Sequence, residues 1–160
     1  MIEQQATEHT ETEYKTTISA VMPEHIDIVW DDVKMFLLRA CKRSNGRHTL
    51  DTVYSQLKNG VQHLWIIINI DNEKIVACAT TQISTYPTGL KMLEVVLLGG
   101  SHKDNWLTNG WKVLESWARK NNCKGMQALG RKGLKFLTVK EDSQWKEQAV
   151  MFEKIFKEKG

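Results

Sequence analysis

One carboxylate interrupts an otherwise apolar stretch in the middle of the chain. Glu94 lies within residues 90–98, a run rich in leucine and valine that predicts a β-strand. Period-two alternation would place it on the same face as Met92, Val96 and Leu98. A carboxylate held there beside a reactive acyl group could accept a proton from an amine through a water molecule. It could instead form an ion pair with a lysine at the strand edge or on a neighbouring strand, which would be a structural role.

The segment after this strand has the composition of an anion-binding turn. Residues 99–103 read Gly-Gly-Ser-His-Lys and form a predicted loop, and residues 104–120 form a predicted helix. A strand that leads into a helix N-terminus directs unpaired backbone N–H groups and the positive end of the helix dipole at one point, where a phosphate can bind. His102 and Lys103 could contact such a phosphate, or they could belong to a solvated basic loop.

The order of predicted elements indicates an α+β fold. It runs as one strand, two helices, three antiparallel strands, a helix, a strand, a helix and a last strand, with helices on both faces of one sheet. The predicted strands cover residues 14–21, 63–70, 74–85, 90–98, 124–129 and 148–156, and the last predicted helix covers residues 131–139. Residues 1–13 are polar, without apolar periodicity, and predict a flexible tail before a single domain over residues 14–160.

Composition narrows the classes of protein to which the chain can belong. The 160 residues are 41% hydrophobic and 26% charged, with a net charge of +3 and intermingled signs, which argues against a nucleic-acid-binding module. Cys41, Cys78 and Cys123 lie far apart without the spacing of metal ligands, so reduced thiols and no metal site are expected. No segment has the length and apolarity of a membrane span, and the N-terminus lacks a signal-peptide core. We therefore expect a soluble intracellular protein.

The element order from about residue 14 to residue 156 resembles the GNAT superfamily of N-acetyltransferases. Shorter stretches are similar to small tailed-phage (podovirus) proteins with a GNAT-like fold, in which a Gly-Arg-x-Gly turn opens the last helix. The stretches that carry this second likeness are Val29-Trp30, Ala40, Arg43-Ser44-Asn45-Gly46-Arg47-His48-Thr49-Leu50, Leu64-Trp65, Leu97-Leu98-Gly99-Gly100, Trp117-Ala118-Arg119 before Cys123, and Gly130-Arg131-Lys132-Gly133.

The resemblance implies a mixed sheet of about six to seven strands and an acetyl-CoA site where two neighbouring strands, residues 90–98 and 124–129, splay apart. Glu94 would then be the general base, and the backbone of the following loop would hold the pyrophosphate. The residues that the resemblance assigns to the coenzyme are Leu97, Leu98, Gly99, Gly100, Ser101, His102, Lys103 and Asn105.

Two departures from the family pattern keep the function open. Catalytic relatives carry an Arg/Gln-x-x-Gly-x-Gly/Ala loop, whereas residues 101–106 of this chain contain no glycine. Catalytic relatives also often place a tyrosine near the last helix, whereas the tyrosines of this chain are Tyr14, Tyr54 and Tyr86. One hypothesis is an N-acetyltransferase that uses acetyl-CoA and a primary amine in the host cytoplasm. The other is a non-catalytic GNAT-fold protein of the virion that binds phage or host proteins.

Overall fold

The computed structural model describes residues 15–101, 103–130 and 144–158. The chain divides into two compact units, Met1–Leu129 and Gly130–Gly160, and every helix and strand of the described residues belongs to the first. The strands are β1 (Thr16–Val21), β2 (His63–Asn69), β3 (Ile75–Thr85), β4 (Lys91–Gly100) and β5 (Gly125–Ala128). The helices are α1 (Ile26–Lys42), which follows a 3-10 turn at Pro23–His25, α2 (Leu50–Lys58) and α3 (Lys103–Lys120).

The strands form one mixed sheet whose order, β1-β2-β3-β4-β5, is also their order along the chain. The first four strands are antiparallel, and β5 pairs parallel with β4 because α3 carries the chain back to the beginning of β4. The predicted α+β fold and mixed sheet are confirmed, but the sheet of the described residues has five strands, not six to seven.

The missing strand is the one predicted at residues 148–156. The described residues of the second unit, 144–158, contain no strand or helix, and that prediction was wrong. A strand exists only where a neighbour completes its ladder of hydrogen bonds, and apolar composition alone does not supply one. The predicted tail at 1–13 and the predicted helix at 131–139 lie outside the described residues.

Helices cover both faces of the sheet, as the sequence predicts. The stripe of buried residues on α1 packs with α2 and with Leu64, Ile66, Cys78 and Leu97 of the sheet. On the opposite face Trp65 of β2 contacts Trp117 of α3, with ring centroids 5.6 Å apart. The buried side chains of α1 are Ile26, Val33, Leu37, Ala40 and Cys41, and those described on α3 include Trp106, Leu107, Trp111, Leu114 and Ala118.

Local sequence sets the helix boundaries. Thr49 caps α2 as predicted, because its side chain accepts a hydrogen bond from the backbone of Thr52 while the Thr52 side chain accepts one from the backbone of Thr49. Asn45 and Gly46 have φ values of 54° and 81°, and this left-handed backbone turns the chain away from the end of α1.

None of the three cysteines forms a disulfide. Cys41, Cys78 and Cys123 are free and buried, and burial raises the pKa of Cys78 to about 12. Within residues 15–101, 103–130 and 144–158 no cluster of His, Cys, Asp and Glu could hold a metal ion. In the same residues no helix combines the length and apolarity that crossing a bilayer requires.

Candidate functional site

A β-bulge in β4 defines the geometry of the candidate site. Thr80 of β3 pairs with Leu97, whereas the next residue, Thr81, pairs with Val95, so Val96 is an extra residue on β4. An extra residue bends the strand and reverses which side chains point to which face from that point onward.

The bulge corrects the predicted facing of Glu94. Glu94 lies opposite Gln82 of β3, whereas Leu98 lies opposite Ala79, three residues away along β3 and therefore on the other face. The prediction that Glu94 shares a face with Leu98 was wrong, because a strict period of two does not survive the insertion of Val96.

The pairing of β4 with β5 ends at Val95, one residue after Glu94. Their pairing runs from Met92 opposite Gly125 to Val95 opposite Ala128, and the rest of β4 is paired with β3 alone among the described residues. We call the open edge of β4 beyond Val95 the β4–β5 gap. The pairing ends where β5 ends, at Ala128, and the splaying of the two strands that the family resemblance implies stays a prediction.

The backbone of β4 alternates between β3 and the gap. The Ser101 N–H donates to the Val76 carbonyl oxygen at 3.1 Å, which makes residues 101, 99 and 97 the ones whose backbone groups point to β3. By the same alternation Leu98 directs its N–H and C=O away from β3, toward the gap. Leu97 itself is buried in the core beneath α1.

Glu94 lies at the closed end of the gap, one residue before the last β4–β5 pair. It is half-buried between Gln82 on β3 and Gln127 on β5, and the Ser84 hydroxyl donates to its Oε2 at 3.2 Å. No lysine of the described residues is paired with it, so the ion pair considered from sequence is not formed there.

Gln127, the β5 residue opposite Glu94, forms a hydrogen-bonded pair with Tyr86 that the sequence did not indicate. The Tyr86 hydroxyl donates to Gln127 Oε1 at 3.0 Å and accepts from Gln127 Nε2 at 2.8 Å. Tyr86 is partly exposed at the turn after β3, and it reaches β5 across the beginning of β4. Tyr86 is far along the chain from the last predicted helix, so the sequence did not indicate that its hydroxyl lies beside β5.

The two glycines of the predicted loop belong to β4, and packing accounts for both. A Cβ on Gly99 would lie 2.7 Å from the backbone oxygen of Phe36 on α1. Gly100 has φ = +137°, and a Cβ there would lie 2.3 Å from the Cβ of Ala77. The absence of side chains therefore lets α1 and β3 approach β4 closely, whether or not a ligand binds.

The remainder of the predicted anion site is only partly within the described structure. His102 lies outside the described residues, and Lys103 and Asn105 lie in the first turn of α3 with side chains outside them. The Trp106 indole is buried and donates from Nε1 to the Ser101 carbonyl oxygen at 2.8 Å. It fixes the start of α3 to the end of β4.

A separate cavity of about 220 Å³ lies on the α3 face of the sheet, lined by Trp65, Val113, Ser116, Trp117 and Lys120. The His63 ring packs on Trp117, with centroids 4.9 Å apart. Burial lowers the pKa of His63, although a hydrogen bond with the Thr81 backbone acts in the opposite direction.

No protein-family model matches the sequence, and no curated protein shows significant sequence similarity to it. Solved structures do match. An aminoglycoside acetyltransferase from an uncultured soil metagenomic sample superposes with a TM-score of 0.64 at 12% identity, covering 89% of this chain and 97% of that one. A predicted acetyltransferase from Clostridium acetobutylicum, solved with acetyl-CoA, gives a TM-score of 0.60 at 15% identity, covering 88% and 96%.

A ribosomal-protein-alanine N-acetyltransferase from Brucella melitensis biovar Abortus gives a TM-score of 0.59 at 12% identity, covering 86% of this chain and 99% of that one. This chain has the fold of the GNAT acetyltransferases. The acetyltransferase fold thus agrees with the element order read from the sequence, whereas none of these matches concerns a phage protein. At these identities the likeness extends to the fold alone.

Proposed function

We propose that this chain is an N-acetyltransferase that uses acetyl-CoA and a primary amine. The observation that carries the proposal is the β4–β5 gap with a carboxylate at its closed end. The Leu98 N–H and C=O face this gap without a strand partner among the described residues, and an extended arm that contains amides would satisfy them. The residues present therefore fit the coenzyme.

The chemistry assigns a separate task to each group of the site. Bound acetyl-CoA would supply the acetyl group as a thioester, from which the coenzyme leaves as its thiol. Leu98 holds the extended arm through its backbone, and Glu94 accepts, through a water molecule, the proton that the amine loses as its nitrogen bonds to the acetyl carbon. Ser84 orients the Glu94 carboxylate by its hydrogen bond. The proton finally returns to the departing thiolate.

Calorimetry and a thiol-release assay test the proposal together. We expect wild-type protein to bind acetyl-CoA on the order of micromolar and to release thiol with at least one amine in a panel of aminoglycosides, polyamines and peptide N-termini. Glu94→Gln should lower kcat by about 10²–10⁴-fold and leave acetyl-CoA affinity unchanged. The matched control is Glu115→Gln, because Glu115 forms an ion pair with Arg119 on α3, away from the β4–β5 gap. A Glu94→Gln enzyme as fast as wild type would overturn the role of the base.

A second candidate is a non-catalytic GNAT-fold virion protein of a phage. It is favoured by the turn after β4, where the Ser101 N–H is already bonded to Val76 and the glycines serve the packing of α1 and β3. A structural protein of this kind would bind neither acetyl-CoA nor an amine. Detection of the chain in purified virions by mass spectrometry, together with no heat of acetyl-CoA binding, would favour it over the enzyme.

A further inference from the structure

A basic side chain lies at the edge of β4 where that strand lacks a partner. Arg43 directly follows the last residue of α1, and its Nη2 donates to the Leu98 carbonyl oxygen at 3.5 Å. Leu98 is three residues beyond Val95, the last residue of β4 that pairs with β5. The guanidinium group of Arg43 therefore lies on the wall of the β4–β5 gap.

This contact leaves most of the guanidinium group available. A distance of 3.5 Å is at the long end for a hydrogen bond, and the Arg43 side chain is exposed. Among the residues that the structure describes, no carboxylate forms an ion pair with Arg43. Arginine carries five N–H donors, and its planar group matches two oxygens of a phosphate at once.

The length of the coenzyme brings its phosphates to the same place. About thirteen bonds separate the sulfur from the first phosphorus, as many as in about four extended residues, a span of about 14 Å. Measured from Val95 at about 3.4 Å per residue, and with the bulge at Val96 adding a residue but little length, that span ends at Gly99 or Gly100. An acetyl group beside Glu94 thus places the diphosphate next to the position where Arg43 meets β4.

The turn after β4 lacks glycines and a free Ser101 N–H that could hold a diphosphate. Residues 101–106 contain no glycine, and the Ser101 N–H is already bonded to Val76. A diphosphate at this turn would therefore depend more on charged side chains than on backbone amides.

We propose that Arg43 binds the diphosphate of acetyl-CoA and, in doing so, releases the Leu98 carbonyl to the amide of the pantetheine arm. This inference rests on the proposed acetyl-CoA function, and it makes Arg43 a positioning residue for the coenzyme. Arg43 belongs to the turn between α1 and α2, so that turn and the end of β4 would close on the coenzyme from two sides.

Calorimetry with two ligands tests this role. Acetyl-CoA carries the phosphates, and S-acetylpantetheine has the same thioester and arm without them. We expect Arg43→Ala to weaken acetyl-CoA binding by about 10- to 100-fold and to leave S-acetylpantetheine binding unchanged. Arg43→Gln, which keeps the length of the side chain without its charge, should show the same split. Arg47→Ala is the matched control, because Arg47 donates to Ser44 and Asn45 of its own turn.

Each result has a separate meaning. If wild-type protein binds acetyl-CoA and Arg43→Ala binds it equally well, the role of Arg43 is overturned while the proposed function stands. Equal weakening of both ligands would also overturn it, since the phosphates would then not be the group that Arg43 contacts. If wild-type protein binds neither ligand, the proposed function fails and the inference fails with it.

Discussion

The close contact between α1 and β4 gives a prediction about Gly99 that concerns stability in the absence of any ligand. In Gly99→Ala the new Cβ would lie 2.7 Å from the backbone oxygen of Phe36 and 3.2 Å from its Cβ. An ordinary contact begins near 3.4 Å, so α1 and β4 would have to separate by about 0.7 Å. Because the obstructing atom belongs to the helix backbone, no rotamer change can relieve the clash.

The expected loss of stability in Gly99→Ala follows from the general behaviour of overpacked cores. Added methyl groups that force backbone shifts destabilise proteins by about 1–3 kcal/mol. Gly110 supplies the matched control, because it lies inside α3 and a Cβ there would meet Trp106 at 3.8 Å and Ile18 at 4.0 Å, both ordinary contacts. In a helix interior alanine is favoured over glycine by about 0.8–1 kcal/mol. Gly110→Ala should therefore be more stable than wild type.

Urea unfolding followed by tryptophan fluorescence measures both variants under one set of conditions. We expect the free energy of unfolding to be highest for Gly110→Ala, intermediate for wild type and lowest for Gly99→Ala. A Gly99→Ala protein as stable as wild type would refute the reasoning, because the helix would then tolerate a side chain at that crossing. If Gly99→Ala lost only acetyl-CoA affinity, the residue would serve the ligand and not the packing.

Two further predictions concern the buried polar groups of the α3 face and the core. Thr81→Val should cost about 1–3 kcal/mol in urea unfolding, because it leaves the Nε1–H of Trp65, now 2.9 Å from the Thr81 hydroxyl, without an acceptor. Thr80→Val should be neutral or stabilising in the same assay, since the buried Thr80 hydroxyl has no partner among the described residues, and an equal loss in both variants would contradict this account. Burial lowers the pKa of His63 below its ordinary value of 6.5, so the unfolded chain binds a proton there more readily than the folded protein. The free energy of unfolding therefore decreases as the pH falls below about 6.5. His63→Phe should show a smaller loss of stability between pH 7.5 and pH 5, and an unchanged pH profile would count against that explanation.

Local periodicity was enough to predict most of the helices and strands. The spacing of apolar residues located α1, whose Val33, Leu37 and Ala40 are buried as one stripe. Thr49 was found as a helix cap because capping depends on residues three apart. These signals are local, and so they could be read without knowing which elements meet.

The candidate site depends on pairings that local patterns do not contain. Val96 becomes a bulge only because β3 pairs on both sides of it, and that pairing decides which way Glu94 faces. Tyr86 and Gln127 are 41 residues apart in the chain and meet across the start of β4. Gly99 looked like a loop residue because glycine favours turns, whereas the approach of α1 explains it. Such contacts belong to the tertiary structure.

The order of the sheet has a consequence for how the chain is made. Because neighbours in the sheet follow one another in sequence, each strand that leaves the ribosome finds its partner already synthesised at the growing edge. No strand has to insert between two others. β2 joins β1 after two helices, and β5 joins β4 after one, but β5 is the strand that pairs in the parallel sense, over four residues, and it is made last. The β4–β5 half of the sheet, which carries the proposed acetyl-CoA site, is thus expected to be the last to assemble during translation.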